Sequence, residues 1–251
     1  GSRITPANLP LFAQCGVYEP VIYSKPIVAH FSIGSELVEP PFTPRFGQIR
    51  NTNSTLLNSL LKKTNANSDY LGLVPDDLEK IKAFINEGLE TSDIVMICGG
   101  TAAGKYDLTK QAILECGFEI AFDKVDIHPG KNTIFAHRDG QVILALPGKP
   151  LAMLVAFQII AKPLIAYSSG SEPKAMNLKL ELVELIDHNI KKYPLYLPGL
   201  ITADSCVKML PFKHFSNTVS IAKCNCLIVA QNAEEIQAGN HVNCMIISEF
   251  I

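Results

Sequence analysis

The chain has 251 residues, 47% of them hydrophobic and 18% charged, and a formal net charge of −2 at pH 7. That balance supports a sizeable core and excludes wholesale disorder, while the near-neutral charge without long single-sign runs argues against nucleic acid or an anionic membrane as a bulk partner. No window of about 18 uninterrupted apolar residues occurs, so no membrane span is predicted.

The opening GSRITP has no initiator Met and no apolar signal core; its first residues read as a cloning remnant, and the chain is expected to be a piece of a longer protein. Residues 1–25 form a lead-in with a short apolar helix around Leu9, Leu11 and Phe12. Residues 26–167 then alternate apolar runs with helical patterns. PIVAHFSI (26–33) predicts a strand, and Asn53-Ser54-Thr55 precedes a helix whose Leu56, Leu57, Leu60 and Leu61 share a face. A short strand near 69–74 leads to Pro75-Asp76-Asp77, a helix start, and to a helix carrying Leu78, Ile81, Phe84, Ile85 and Leu89. DIVMIC (93–98) has the continuous apolar run of a strand buried on both faces. A helix at about 107–116 follows, then strands at 120–127, 132–138 and 142–147, and a long apolar helix over 150–167 broken late by Pro163. Strand and helix in series predict an α/β domain, a mostly parallel sheet covered on both faces.

SSGSEPKA (168–175) has linker composition, and residues 176–251 change to short alternating segments at 178–185, 206–210, 226–230 and 241–247. They predict a small all-β, barrel-like domain. Seven cysteines at irregular spacing, an odd number, fit a reducing, cytoplasmic setting; Cys224-Asn225-Cys226 has no second pair at zinc spacing and is read as non-metal.

In an open parallel sheet, ligands gather beyond the carboxyl ends of the strands. Four loops can reach that place: SIGSELVEP (32–40) with Gly34 and Glu36, CGGTAAGKYD (98–107), IHPGKN (127–132) with Lys131, and ALPGKP (145–150) with Lys149. Gly99 and Gly100 could present successive amides to an anion at a helix start, Lys105, Lys131 and Lys149 could neutralise phosphate, and Glu36 with Asp107 could hold Mg²⁺. Each loop alone is equally an ordinary turn, and the spacing matches neither a P-loop nor GxGxxG.

Taken together, FSIGSELVEP, GQIRNTNSTLL, the stretch from LVPDDLEK through ICGGTAAGKYDLTK, FDKVDIHPGK and ALPGKPLAMLVAFQIIAKPLI resemble the molybdopterin molybdotransferase family, to which the E domain of gephyrin belongs. NTVSIAKCNCLIVAQNAEEIQAGNHV (217–242) resembles the end of its C-terminal β domain. The resemblance implies a three-layer molybdopterin-binding domain followed by the β domain. It also implies insertion of molybdate into adenylylated molybdopterin with release of AMP, assisted by Mg²⁺, and a homodimer, with the adenylyltransferase of the same pathway a possible partner. It assigns Glu36 and Asp107 to catalysis and metal. Gly34, Gly99, Gly100, Thr101, Gly104, Lys131, Pro147, Gly148, Lys149 and Pro150 are assigned to substrate. Ser35, Ala102, Lys105, His128, Asn132 and Lys149 depart from the family pattern, trading carboxylates and a hydroxyl for a more positive pocket. The expected reading is therefore molybdenum insertion; the alternatives are a weakened molybdopterin-binding scaffold and an adenylyltransferase.

Overall fold

The computed structural model describes residues 4–100, 108–173, 175–185, 194–212 and 214–247. A 3₁₀ turn at Pro6–Asn8 and helix α1 (Leu9–Gln14) open the chain, and both leucines predicted for that helix are largely exposed. Strand β1 (Ile27–Ile33) is buried from its second residue on. It is followed by the short strands β2 (Leu37–Val38) and β3 (Ile49–Arg50), a parallel pair that the sequence reading did not anticipate. Helix α2 (Asn53–Lys63) comes next. It takes Asn53 into its first turn, with Thr52 at the N-cap, so Asn53-Ser54-Thr55 opens the helix instead of preceding it. Strand β4 (Asn67–Val74) leads to helix α3 (Leu78–Thr91), capped as expected by Asp77, whose side chain accepts from the Lys80 N–H. Strand β5 (Ile94–Cys98) and helix α4 (Leu108–Glu115) follow, then strands β6 (Glu119–Phe122), β7 (Ile134–Arg138) and β8 (Gln141–Leu146).

The six-stranded sheet runs β4-β1-β5-β8-β7-β6. Its first four strands are parallel; β7 and β6 are antiparallel to their neighbours. The reversal arises at Asp139-Gly140, a two-residue turn with both φ angles positive (46° and 86°), the geometry of a tight hairpin. Strand residues alternate between two apolar layers. Val28, Met96, Cys98 and Leu144 face α2 and the helix after β8, while Ala29, Phe31, Val95 and Ile143 face α3 and α4.

After β8 the chain forms one helix over residues 150–168: α5 (Pro150–Ala156), a π turn (Phe157–Ala161) and α6 (Lys162–Ser168). Pro163 does not break it. The π turn shifts the ladder one residue, with the Lys162 N–H on the Phe157 carbonyl, so the proline falls in a new first turn where its missing N–H costs little. This helix is long and apolar enough to cross a membrane, but 56% of it is buried inside the protein, as in a core helix.

The second unit is a closed five-stranded barrel, β10-β11-β9-β13-β12, built from β9 (Asn177–Glu184), β10 (Leu195–Ile201), β11 (Cys206–Met209), β12 (Cys226–Ala230) and β13 (His241–Ile246), with helix α7 (Thr218–Lys223) before β12. Strand β10 escaped sequence reading because Pro198-Gly199 looks like a turn. Inside the strand, Pro198 still accepts from the Leu210 N–H (2.8 Å), and Gly199 leaves room for the core: a Cβ there would lie 2.7 Å from the Cys226 sulfur.

Candidate functional site

Helix α2 follows β1 on one face of the sheet, α4 follows β5 on the other, and α5 follows β8 on the first. Chain paths therefore diverge beyond the carboxyl ends of β1, β5 and β8, the place where open α/β sheets form crevices. A cavity of about 920 Å³ opens there. All four predicted loops reach it: Glu36, Gly99, Gly100, Lys131, Pro147, Gly148, Lys149 and Pro150 line its wall. Gly34, predicted for the substrate, is not among the lining residues; it sits in the turn that bears Glu36, where a Cβ would come within 2.8 Å of Glu36 Oε2. Thr101, Ala102, Gly104, Lys105 and Asp107 lie outside the described residues.

Sequence reasoning assigned no role to the Ile49–Asn53 stretch or to Phe215, Ser216 and Thr218 of the β domain, and all of them line the cavity. The available signal was GQIRNTN, a cation and three amides running into a helix start. Asn51 is 1% exposed and bonded at both ends of its amide. Its Oδ1 accepts from Ser32 Oγ (3.3 Å) and the Ser54 N–H (3.2 Å), and its Nδ2 donates to the Tyr70 hydroxyl (2.9 Å). Tyr70 in turn donates to Glu39 Oε1 (2.6 Å); burial and that carboxylate push its pKa up. Asn53 Nδ2 donates to the Gly148 carbonyl (2.9 Å), fixing the Pro147–Pro150 turn to the start of α2.

The glycine pair is more specialised than expected. Gly99 (φ +94°) spends its N–H on the Leu146 carbonyl (3.1 Å), continuing the ladder, so only the Gly100 amide (φ +69°) is free among the described residues. Gly99 serves by close approach instead: a Cβ there would sit 2.6 Å from the Ile33 carbonyl oxygen. The turn bearing Glu36 is held by reciprocal bonds, the Ser35 N–H donating to Asp76 Oδ2 (2.9 Å) and the Asp76 N–H to Ser35 Oγ (3.1 Å). Ser35 thus occupies a place where an acidic residue would face Asp76.

The barrel braces the other wall. His128 and Tyr196 link the loops, with the His128 N–H on the Pro194 carbonyl (2.9 Å) and the Tyr196 N–H on the His128 carbonyl (2.8 Å). The Leu151 N–H, in the first turn of α5, donates to the Phe215 carbonyl (3.0 Å), and the Phe215 ring meets His128 edge-on at 5.0 Å. Arg50, Lys131 and Lys149 bring three permanent cations to the cavity against one carboxylate, Glu36, among its described lining residues. With the amino end of α5 beside them, the described lining is electropositive in an otherwise slightly acidic chain, a setting suited to anions.

Mg²⁺ commonly binds through one or two carboxylates plus phosphate oxygens and water. Glu36 supplies one such carboxylate; among the described residues no cluster of three metal-ligating side chains occurs. Glu36 is therefore one carboxylate that a cation brought in by a phosphorylated ligand could use, and the predicted second one, Asp107, lies outside the described residues.

Behind the site, His30 on β1 is fully buried, its Nε2 3.0 Å from Ser68 Oγ and its Nδ1 without a partner. Burial lowers its pKa from 6.5 to about 4. The unfolded chain therefore takes up a proton below pH 6.5 that the folded chain refuses until about pH 4. His30 contributes about 3 kcal/mol of pH dependence: stability is full above pH 6.5 and is lost as pH falls toward 4. Urea unfolding at these two pH values should show that loss, and H30Q should shrink it.

Residues 29–167 match the family described as "Probable molybdopterin binding domain". The chain is 34% identical over 254 residues to the molybdopterin molybdenumtransferase of Haemophilus influenzae, covering 96% of this chain and 61% of that protein. It is 32% identical over 167 residues to the Bacillus subtilis protein of the same name, covering 66% of this chain and 38% of that one. A solved molybdopterin biosynthesis moeA protein from Pyrococcus horikoshii superposes with a TM-score of 0.81 at 24% identity, over 99% of this chain and 61% of that one, and so shares its fold. The chain spans at most about three fifths of the length of these relatives.

Proposed function

We propose a function from the premise that this chain belongs to the family of molybdopterin-binding domains: it binds adenylylated molybdopterin and carries the molybdate-insertion step that releases AMP. The observation that carries this reading is the convergence of the four loops on one cationic crevice at the sheet's switch point. Arg50, Lys131, Lys149 and the Gly100 amide would hold the ligand's phosphates. Glu36 would orient the linkage and, with the ligand's own oxygens, hold Mg²⁺, which supplies Lewis-acid polarisation when bound. A molybdate oxygen would then bond to the pterin-side phosphorus as the phosphoanhydride bond breaks and AMP leaves with the bridging oxygen. Asp107 is assigned to the same chemistry by the family pattern. A homodimer, contact with the adenylyltransferase of the pathway and a reducing cytoplasmic setting belong to this reading; the last is supported by seven free cysteines, Cys226 and Cys244 among them inside the barrel.

A second reading, a pterin-binding module without turnover, is favoured by Lys149, which adds a cation where catalysis needs no further one. The two separate in one experiment. Supplied with adenylylated molybdopterin, molybdate and Mg²⁺, the full-length protein should release AMP, and Asp107→Ala should abolish release. Retention of the ligand without AMP would support the binding module, and failure to retain it would overturn both.

A further inference from the structure

A second cavity, about 1030 Å³, lies away from the first, between the end of α2, the middle of the 150–168 helix, the chain entering β9 and Met245 of β13. Its floor is the π turn. Gln158 in that turn is 7% exposed, and its Oε1 is buried with no hydrogen-bond partner, an arrangement that costs stability unless something in the cavity completes it. Lys63 reaches the cavity from α2 and Lys162 from the residue that closes the π turn. Neither is in an ion pair among the described residues, and Glu172, on the exposed rim, is the one described carboxylate facing them. The end of α2 does not compete for these cations, because the Thr64 hydroxyl (2.8 Å) and the Ala66 amide (3.3 Å) both cap the Leu61 carbonyl.

We infer that this cavity is a second ligand site, for a small anion that also carries a hydroxyl. Lys63 and Lys162 take the anionic oxygens, and the Gln158 amide, unpartnered inside the protein, takes the hydroxyl. The size matches small-molecule sites, and the concave walls come from both domains, so a bound molecule touches each. The anionic group is a carboxylate or a phosphate monoester; both present the same oxygens to the lysines.

The test is a ¹H–¹⁵N titration of the chain, following the Gln158 side-chain amide, with citrate in one arm and glycerol 3-phosphate in the other. The expected result is a saturable shift of that signal in at least one arm, the arm naming the anion class. Lys63→Gln with Lys162→Gln should weaken the affinity about tenfold or more, because two charge-assisted contacts are lost, and these surface changes leave the fold intact. Lys131→Gln with Lys149→Gln, in the first cavity, should leave the shift in place. No shift with either anion, an unchanged affinity in the K63Q/K162Q protein, or loss of the shift in the K131Q/K149Q protein would overturn the inference.

Discussion

Gly99→Ala is expected to lower the melting temperature by roughly 4–20 °C and to abolish retention of the pterin ligand. The first part follows from two separate costs. An alanine held at φ +94° gives up roughly 1–2 kcal/mol of backbone preference. Its methyl would also lie 2.6 Å from the Ile33 carbonyl oxygen, and forcing β1 and β5 apart at their ends adds about 1–3 kcal/mol of overpacking. At roughly 2–4 °C per kcal/mol for a chain of this size, the sum gives the stated shift. Gly140→Ala is the matched control: φ is +86°, but nothing lies within 4 Å of the added methyl, so only the backbone cost remains. Calorimetry of the two variants separates sterics from dihedral preference. Equal melting temperatures would show that the close approach of Gly99 to β1 carries no energy. The binding part follows from place, since Ile33 leads into the turn that bears Glu36 and Gly99 leads into the glycine loop.

The parts of the fold that the sequence revealed are those whose signal is local. Strand β5 is buried on both faces and reads as an unbroken apolar run, and β1 reads as a strand from its β-branched residues although His30 and Ser32 interrupt the run; α3 announces itself with Asp77 at its cap and Ile81 and Ile85 on one side. The errors come from punctuation that tertiary contacts override. Pro198-Gly199 looks like a turn until Cys226 and Ile228 are seen packed where a glycine side chain would be. Pro163 looks like a helix end until the π turn is seen to absorb it. Asp139-Gly140 is a hairpin signal present in the sequence, and it sets one strand, β7, against the otherwise parallel direction of the sheet.

The site divides in the same way. Gly34, Glu36 and the 147–150 turn were legible because each follows a strand and pairs a glycine or proline with a charge; Lys131 was legible from its Pro129-Gly130 turn alone, since the strand predicted over 120–127 ends at Phe122. Arg50, Asn51 and Asn53 were not, because their work is to join elements distant in sequence: Asn53 reaches Gly148, 95 positions away. Phe215 was less legible still, since a linker before 176 suggests independent domains. The Leu151 amide on its carbonyl shows instead that the barrel helps to hold the first turn of α5 in place.

Glu36→Gln is expected to cut AMP release by roughly 100-fold, the upper end of what loss of a metal-supporting group costs, while ligand retention holds or improves. The substitution keeps the side chain's shape and removes its charge. In a cavity where Arg50, Lys131 and Lys149 face one described carboxylate, that charge repels the phosphates of the proposed ligand in the ground state. Its presence is therefore a cost to binding, justified only if it acts during the reaction. Structural collapse would depress retention and turnover together, and the turn argues against it: the Ser35–Asp76 bonds and the Ile49 N–H on the Glu36 carbonyl (2.9 Å) do not involve the carboxylate. Loss of Mg²⁺ support would also raise the Mg²⁺ concentration needed for half-maximal release, a shift that a purely steric role would not produce. If E36Q released AMP within about threefold of the parent rate at the same Mg²⁺ requirement, Glu36 would have no part in the chemistry, and the cationic crevice would be left with binding alone.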